Sequence, residues 1–342
     1  MYAFKAERPD AARRYHSKFV SGTNYQESSN RRFALSKPTE NILRSSILES
    51  GWLINNITLR DVNAVSGNAI NIGASELHTG RVHGGRFRKM LAINGTEFFL
   101  SETDTCARIS YLDMSHIYHT GVQGEFDKSV SAFFSQAYAL DMLRVGFNGE
   151  SIADTTDPEI NKKGEDVNIG WHALAKDYRD GQQVLSTPLT LGDTGEWKNL
   201  DLLANHLITE LIAEPYREDP RLVVLVGAEL AAKQRLKLFN AADRPADVDA
   251  AQMAVSSVAG RFAFIPPFMP GKRLAVTTLD NLHIYTQSRT RSFRAEFDDE
   301  KSEYVNSYLR NEGYALGEPE LYAAVDESAV NRHGFNRHLR VI

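Results

Sequence analysis

Apolar residues recur at steps of three and four along residues 126–145: Phe126, Val130, Phe133, Phe134, Ala137, Leu140 and Leu143. That period lays them along one stripe of an α-helix about 30 Å long. Arg144 falls in the last turn, where a cation complements the helix dipole, and Gly146 is the expected stop. Beyond it, residues 165–272 alternate between helical and extended patterns. Asp166 reads as the cap of a helix carrying Val167, Trp171, Leu174 and Tyr178. Leu203, Leu207 and Leu211 mark a helix over 200–214, closed by Pro215, and 228–240 reads as another. Between them Leu222-Val223-Val224-Leu225-Val226 is apolar throughout, the pattern of a strand buried on both faces. Residues 262–270 hold Pro266, Pro267 and Pro270 and predict a rigid loop. From Arg273 the pattern turns to strands, at 274–278, 282–286, 292–297, 304–309 and 321–325.

The first third of the chain lacks this convergence of apolar positions. Residues 1–36 form a polar arm with a short basic helix at 11–20 that Gly22 breaks. A helix is expected over 39–50, with Ile42, Ile47 and Leu48 near one face and Thr39 as its cap. Trp52, Leu53, Ile54, Ile57 and Leu59 follow as an extended stretch, with Trp52 its buried anchor. Residues 66–105 contain six glycines. Alternation appears at Ala69-Ile70-Asn71-Ile72 and again at Thr96-Glu97-Phe98-Phe99-Leu100, which predicts a long two-stranded hairpin. Its tip, 81–89, is basic and glycine-rich. A lone hairpin is marginal in water, and an arm with few converging apolar groups cannot offset its ordering entropy. Both need a surface to lie on, and another copy of the same chain is the economical one. Trp52, Arg81, Arg86, Arg88 and Lys89 are therefore the candidate contacts between subunits. The four cations read equally as an ordinary soluble loop.

Charge sharpens the picture only by its distribution. The chain carries 39 Lys and Arg against 44 Asp and Glu, a net charge of −5 that is too mild to mark a dedicated nucleic-acid binder. Residues 1–37, however, hold eight cations against three acids. The tail 331–342 carries Arg332, Arg337 and Arg340 with no acid. Cys106 is the single cysteine, which excludes an intrachain disulfide and suits an intracellular protein. No signal peptide is expected at Met1, and no apolar run approaches the ~20 residues of a membrane helix.

Catalytic patterns are missing. No Gly-x-x-x-x-Gly-Lys-Ser/Thr loop, Gly-x-Gly-x-x-Gly turn or Gly-x-Ser-x-Gly elbow occurs. His116-x-x-His119 with Asp113 lacks the further ligands that a zinc site needs. Glu296-Asp298-Asp299-Glu300 lacks the glycine of a calcium loop and reads as a solvated turn. Cys106 has no neighbouring base, and His333 and His338 sit in a polar tail. No catalytic, cofactor-binding or metal residue is assigned, and no enzymatic activity is expected.

Four stretches carry a family resemblance. The first is Arg144-Val145-Gly146-Phe147-Asn148-Gly149, then Ala153-Asp154-Thr155-Thr156-Asp157-Pro158, then Asp166-Val167-Asn168-Ile169-Gly170-Trp171. The second is Ile212-Ala213-Glu214-Pro215-Tyr216-Arg217-Glu218-Asp219-Pro220 followed by residues 222–227. The third is Leu279-Asp280-Asn281-Leu282-His283-Ile284-Tyr285. The fourth is Arg310-Asn311-Glu312-Gly313-Tyr314-Ala315 running on to Ala323-Ala324-Val325. In order and spacing these resemble the major capsid proteins of contractile-tailed temperate phages of the peduovirus (coliphage P-two) group, from about residue 33 to 327.

The resemblance implies an α+β protein with the Hong Kong ninety-seven type capsid fold. It places an N-terminal arm at 1–60 and an extended E-loop at 61–110. A peripheral domain takes 111–150 and 276–330, with 126–145 as its spine helix. An axial domain takes 151–275, and a basic tail 331–342. It implies hexamers and pentamers tiling an icosahedral head around double-stranded DNA, assembled in a bacterial host's cytoplasm and carried in the virion. The implied partners are a scaffolding protein, a maturation protease and a portal. Arg31-Arg32 before Phe33 lies where processed members of the family place a cleavage junction, which implies a propeptide over 1–33 and a cut at Phe33-Ala34. The alternatives are an encapsulin-type cargo shell and a soluble α/β enzyme with a long N-terminal extension.

Overall fold

A computed structural model describes residues 56–72, 79–89, 93–114, 125–192, 195–241 and 257–330. The expected arm helices, Trp52, Phe33, Ala34, His116, His119, His333, His338 and the tail 331–342 lie outside these residues. Thirteen strands occur among the described residues. They are β1 (Thr58–Val62), β2 (Ser66–Ile72), β3 (Ile93–Phe99), β4 (Ser101–Ser110), β5 (Val184–Leu185), β6 (Val223–Val226), β7 (Ser257–Val258), β8 (Arg261–Phe264), β9 (Leu274–Thr277), β10 (Leu282–Gln287), β11 (Ser292–Asp298), β12 (Glu303–Leu316) and β13 (Ala323–Val325). The helices are α1 (Glu125–Asn148), α2 (Trp171–Asp177), α3 (Leu200–His206) and α4 (Ala228–Ala241). Two units emerge: Met1–Val65 with Leu100–Leu143 and Tyr285–Gly313, and Ser66–Phe99 with Arg144–Ile284 and Tyr314–Ile342.

In the first unit β12 is flanked by antiparallel β4 and β11. Opposite residues of an antiparallel pair share a face. The register Phe297↔Tyr304 and Phe293↔Tyr308 therefore builds one aromatic face. Val130, Phe134 and Tyr138 of α1 are fully buried at four-residue steps. Phe134 lies 6.2 Å from the Tyr304 ring and Tyr138 lies 6.1 Å from Tyr308, which stacks on Phe293 at 4.6 Å. The buried stripe is thus rotated from the expected one. Phe133 is 47% exposed, while Tyr138 is fully buried. The Tyr138 hydroxyl makes this affordable by donating to the Asn306 carbonyl at 3.0 Å, a partner on another strand that helical periodicity does not reveal.

The second unit is built on a six-stranded sheet in the order β5-β13-β9-β6-β8-β7. β6 runs parallel to β8 and antiparallel to β9, in the sheet's interior. Val224 and Val226 face Val276 and Leu274 across the register, and these face Ala323 and Val325 of β13. That face forms one core with Leu200, Leu203, Leu207 and Leu230. Leu225, Ala275 and Ala324 on the opposite face are buried as well, which accounts for the unbroken apolar run of β6.

Several expectations need correction here. Residues 262–264 of the expected proline loop form most of β8, since a proline restricts only its own position and the one before it. Asp166 does not cap α2. That helix starts after Gly170 with no side-chain cap, and the Asp166 carboxylate instead accepts the Asp157 amide at 2.7 Å. The helix over 200–214 changes to a π-turn at Leu207–Leu211, and Pro215 opens the 3₁₀ turn Glu214–Tyr216. Gly146 does not stop α1, which runs on to Asn148. There the Asn148 amide donates to the carbonyls of Arg144 at 2.8 Å and Phe268 at 2.9 Å, satisfying groups that a helix end otherwise leaves open.

Candidate assembly surface

The predicted hairpin is present and belongs to the second unit. β2 and β3 pair antiparallel without a bulge from Ser66↔Phe99 to Ile72↔Ile93. Alternation then sorts the side chains. Ala69 and Phe98 are buried on one face, while Ser66, Asn68, Glu97 and Phe99 are exposed on the other. Phe99 is 59% exposed. A groove of about 400 Å³ is lined by Phe98 and Phe99 of the hairpin together with Ile152, Ile169 and Tyr314. Large apolar groups at an open groove are costly to hydrate.

The tip is polar and outward. Every described residue from 79 to 89 is exposed, including Arg81, Arg86, Arg88 and Lys89. Its shape comes from one close approach. The Phe87 ring lies over Gly80, where a Cβ would sit 2.7 Å from it. Gly84 reverses the chain at a φ of 80°, a conformation open to glycine at little cost. The four cations are thus displayed on a turn that uses an aromatic of its own as its support.

Sequence reasoning missed a buried charged cluster in the second unit. His172 and Lys176 come from α2, Tyr322 from the residue before β13, Asp326 and Glu327 from the residues after it, and Arg273 from the residue before β9. The His172 Nδ1 is 3.2 Å from the Tyr322 hydroxyl and Nε2 is 3.4 Å from Asp326. Lys176 also pairs with Asp326. Arg273 grips Glu327 through Nε and an Nη at 2.8 Å each, and donates to the Phe147 carbonyl. Burial pushes His172 below its ordinary value, although Asp326 pulls the other way. The same burial pushes the Tyr322 hydroxyl up to about 12. Hydrogen bonds from His172, Lys176 and Ser328 hold Asp326 below the usual carboxylate range, against its burial. Burial raises Glu327, and Arg273 more than reverses that. His172, Asp326 and Glu327 bring ligand-type atoms within 4.8 Å of one another, yet Lys176 and Arg273 already neutralise the two carboxylates. No motif could have found this cluster, because 154 residues separate His172 from Asp326.

The other sequence candidates are tied into local structure. The Asp113 carboxylate accepts from the Ser110 hydroxyl at 2.6 Å. Glu296 pairs with Arg294, Asp298 accepts the Lys301 amide at 3.1 Å, and Asp299 accepts from the Tyr111 hydroxyl at 2.9 Å. Cys106 is exposed on β4.

Known proteins place this architecture. The model of the family described as phage major capsid protein, P2 family, matches residues 13–328. The capsid proteins of Escherichia phage P2 are 26% identical over 276 residues, covering 75% of each chain. The major capsid protein of Serratia phage KSP20 is 22% identical over 272 residues, covering 75% of this chain and 77% of its own. Among solved structures, a chain of the satellite phage P4 procapsid, which includes the size determination (Sid) protein, superposes with a TM-score of 0.75. It is 21% identical and the match covers 94% of this chain and 98% of that one. The fold is accordingly the α+β Hong Kong ninety-seven type expected above. The chain belongs to the P2 family of phage major capsid proteins.

Proposed function

We propose that this chain closes into an icosahedral head of hexamers and pentamers around packaged double-stranded DNA. The observation that carries the reading is the hairpin, which exposes Phe99 along one face and four cations at its tip. Stable obligate interfaces bury roughly 2,000–5,000 Å². A hairpin that reaches a neighbour adds such area without enlarging the subunit's core. Head-to-tail contacts of this kind are heterologous and close into rings. Many weak contacts then hold the lattice together, which lets misplaced subunits leave during assembly.

In this reading residues 61–110 are the E-loop, residues 111–150 and 276–330 are the peripheral domain with 126–145 as its spine helix, and residues 151–275 are the axial domain. The arm up to residue 60, with Trp52 as its anchor, lies on neighbouring subunits. Scaffolding protein, maturation protease and portal are the assembly partners, and DNA phosphates meet the inward surface by weak, salt-sensitive contacts. The test is electron microscopy of the expressed full chain with sedimentation at high concentration. Closed shells are expected. A stable monomer of 38.3 kDa sinks the reading, and shells holding a protein cargo with no nucleic acid in phage particles favour the cargo-shell alternative.

A further inference from the structure

The buried cluster in the second unit has chemistry that shell geometry does not call for. A tyrosine whose pKa is pushed up to about 12 keeps its proton at neutral pH. The ionised Asp326 carboxylate accepts only, so the neutral imidazole carries its proton on Nε2, and the Tyr322 O–H donates to Nδ1, 3.2 Å away. Adding a proton at Nδ1 turns that acceptor into a donor and forces the buried Tyr322 O–H to swing off it. It also sets a third cation beside Lys176 and Arg273, against only the carboxylates of Asp326 and Glu327. Both changes are costly where water is excluded.

Asp326 is also the knot that fastens the following segment. Its carboxylate accepts from the Ser328 amide at 2.8 Å and the Ser328 hydroxyl at 2.5 Å. Its amide donates to the Leu185 carbonyl and its carbonyl accepts from Ala329. Ala329 in turn accepts the Leu189 amide, and Leu189 bridges to Val330. We propose that His172 is a proton sensor that fastens residues 326–330 to residues 185–189 when neutral and loosens them when protonated.

Hydrogen exchange measured by mass spectrometry on the full chain from pH 8 to 5, corrected for intrinsic exchange rates, tests this. Protection of peptides covering 323–330 should fall as the solution is acidified below 6.5, by up to about tenfold per pH unit, and level off once folded His172 takes up the proton. Peptides covering β6, which report global opening, should lose less protection and serve as the internal reference. His172→Gln cannot titrate in this range and should flatten the response. Tyr322→Phe deletes the donor that favours neutral His172 and should move the response to higher pH. A flat wild-type profile overturns the proposal, as does a His172→Gln profile identical to wild type. Should His172→Gln fail to fold, an unshifted Tyr322→Phe midpoint overturns it. A flat profile overturns the sensor whether or not closed shells form, so its outcome is distinguishable from that of the shell.

Discussion

Gly146 carries the Trp171 indole directly on its backbone: a Cβ at this position would lie 2.5 Å from the ring. Phe147 and Tyr314 meet the same indole edge-on at 5.2 and 5.6 Å, and its Nε1 donates to the His283 carbonyl at 3.0 Å. Gly170 approaches Gly146 so closely that a Cβ there would lie 2.6 Å from the Gly146 carbonyl oxygen. The stretches around residues 144–149 and 166–171 are therefore the two sides of one joint. Gly146→Ala should gain up to about 1 kcal/mol of helix propensity and lose about 1–3 kcal/mol by overpacking the indole. The net is a destabilised protein, read as a lower Tm in a thermal melt. A Tm equal to or above wild type would show that the joint yields.

The basic tip should separate folding from assembly. Replacing Arg81, Arg86, Arg88 and Lys89 together by Ala should leave the melting curve within error of wild type, because all four are exposed and such surface changes rarely exceed ~0.5 kcal/mol. Sedimentation should show fewer closed shells. Salt should weaken wild-type assembly in the same direction, since exposed charges are screened within about 10 Å at 0.1 M. Normal shell yield from the quadruple variant would remove these residues from the interface.

Arg273→Ala strands Glu327 and leaves the Phe147 carbonyl without its guanidinium donor. Breaking a buried ion pair costs about 3–5 kcal/mol. The Glu327 side chain is 34% exposed, so solvent screening lowers the expected loss to about 2–3 kcal/mol. Urea unfolding at neutral pH measures it, and an unchanged midpoint would mean that water satisfies Glu327 as well as Arg273 does.

The same cluster sets the acid limb of stability. Asp326 and Glu327 both titrate below their ordinary values of 3.8 and 4.5 in the folded chain. As pH falls through those ordinary values the unfolded chain takes up protons that the folded one refuses. Stability is thus present above about pH 5 and lost towards lower pH. His172 is also depressed, from 6.5, so the loss begins below that value. Urea midpoints measured between pH 7 and 3 should fall steadily, and Asp326→Asn should flatten the lower part of the curve. An acid limb as steep in Asp326→Asn as in wild type would assign it elsewhere.

Processing of the arm has a direct readout. Mass spectrometry of purified heads should find subunits that begin at Ala34, after removal of residues 1–33. Subunits retaining Met1 would remove the proposed junction at Phe33-Ala34.

The sequence by itself determined what depends on neighbours along the chain. The hairpin followed from its two alternating strands and glycine-rich tip. α1 followed from three- and four-residue spacing, and β6 from a short run without a polar residue. The order of elements and the four matching stretches were enough to name the family, because both are properties of the linear chain. Only the tertiary structure decided which side of α1 is buried, since the Tyr138 hydroxyl needs the Asn306 carbonyl before the ring can enter the core. It likewise decided that Gly146 serves a joint and does not end a helix, because the reason for the glycine is an indole 25 residues away. The charged cluster was wholly its work. A buried ionic group survives only where partners from several segments converge on it, and no local pattern records that convergence.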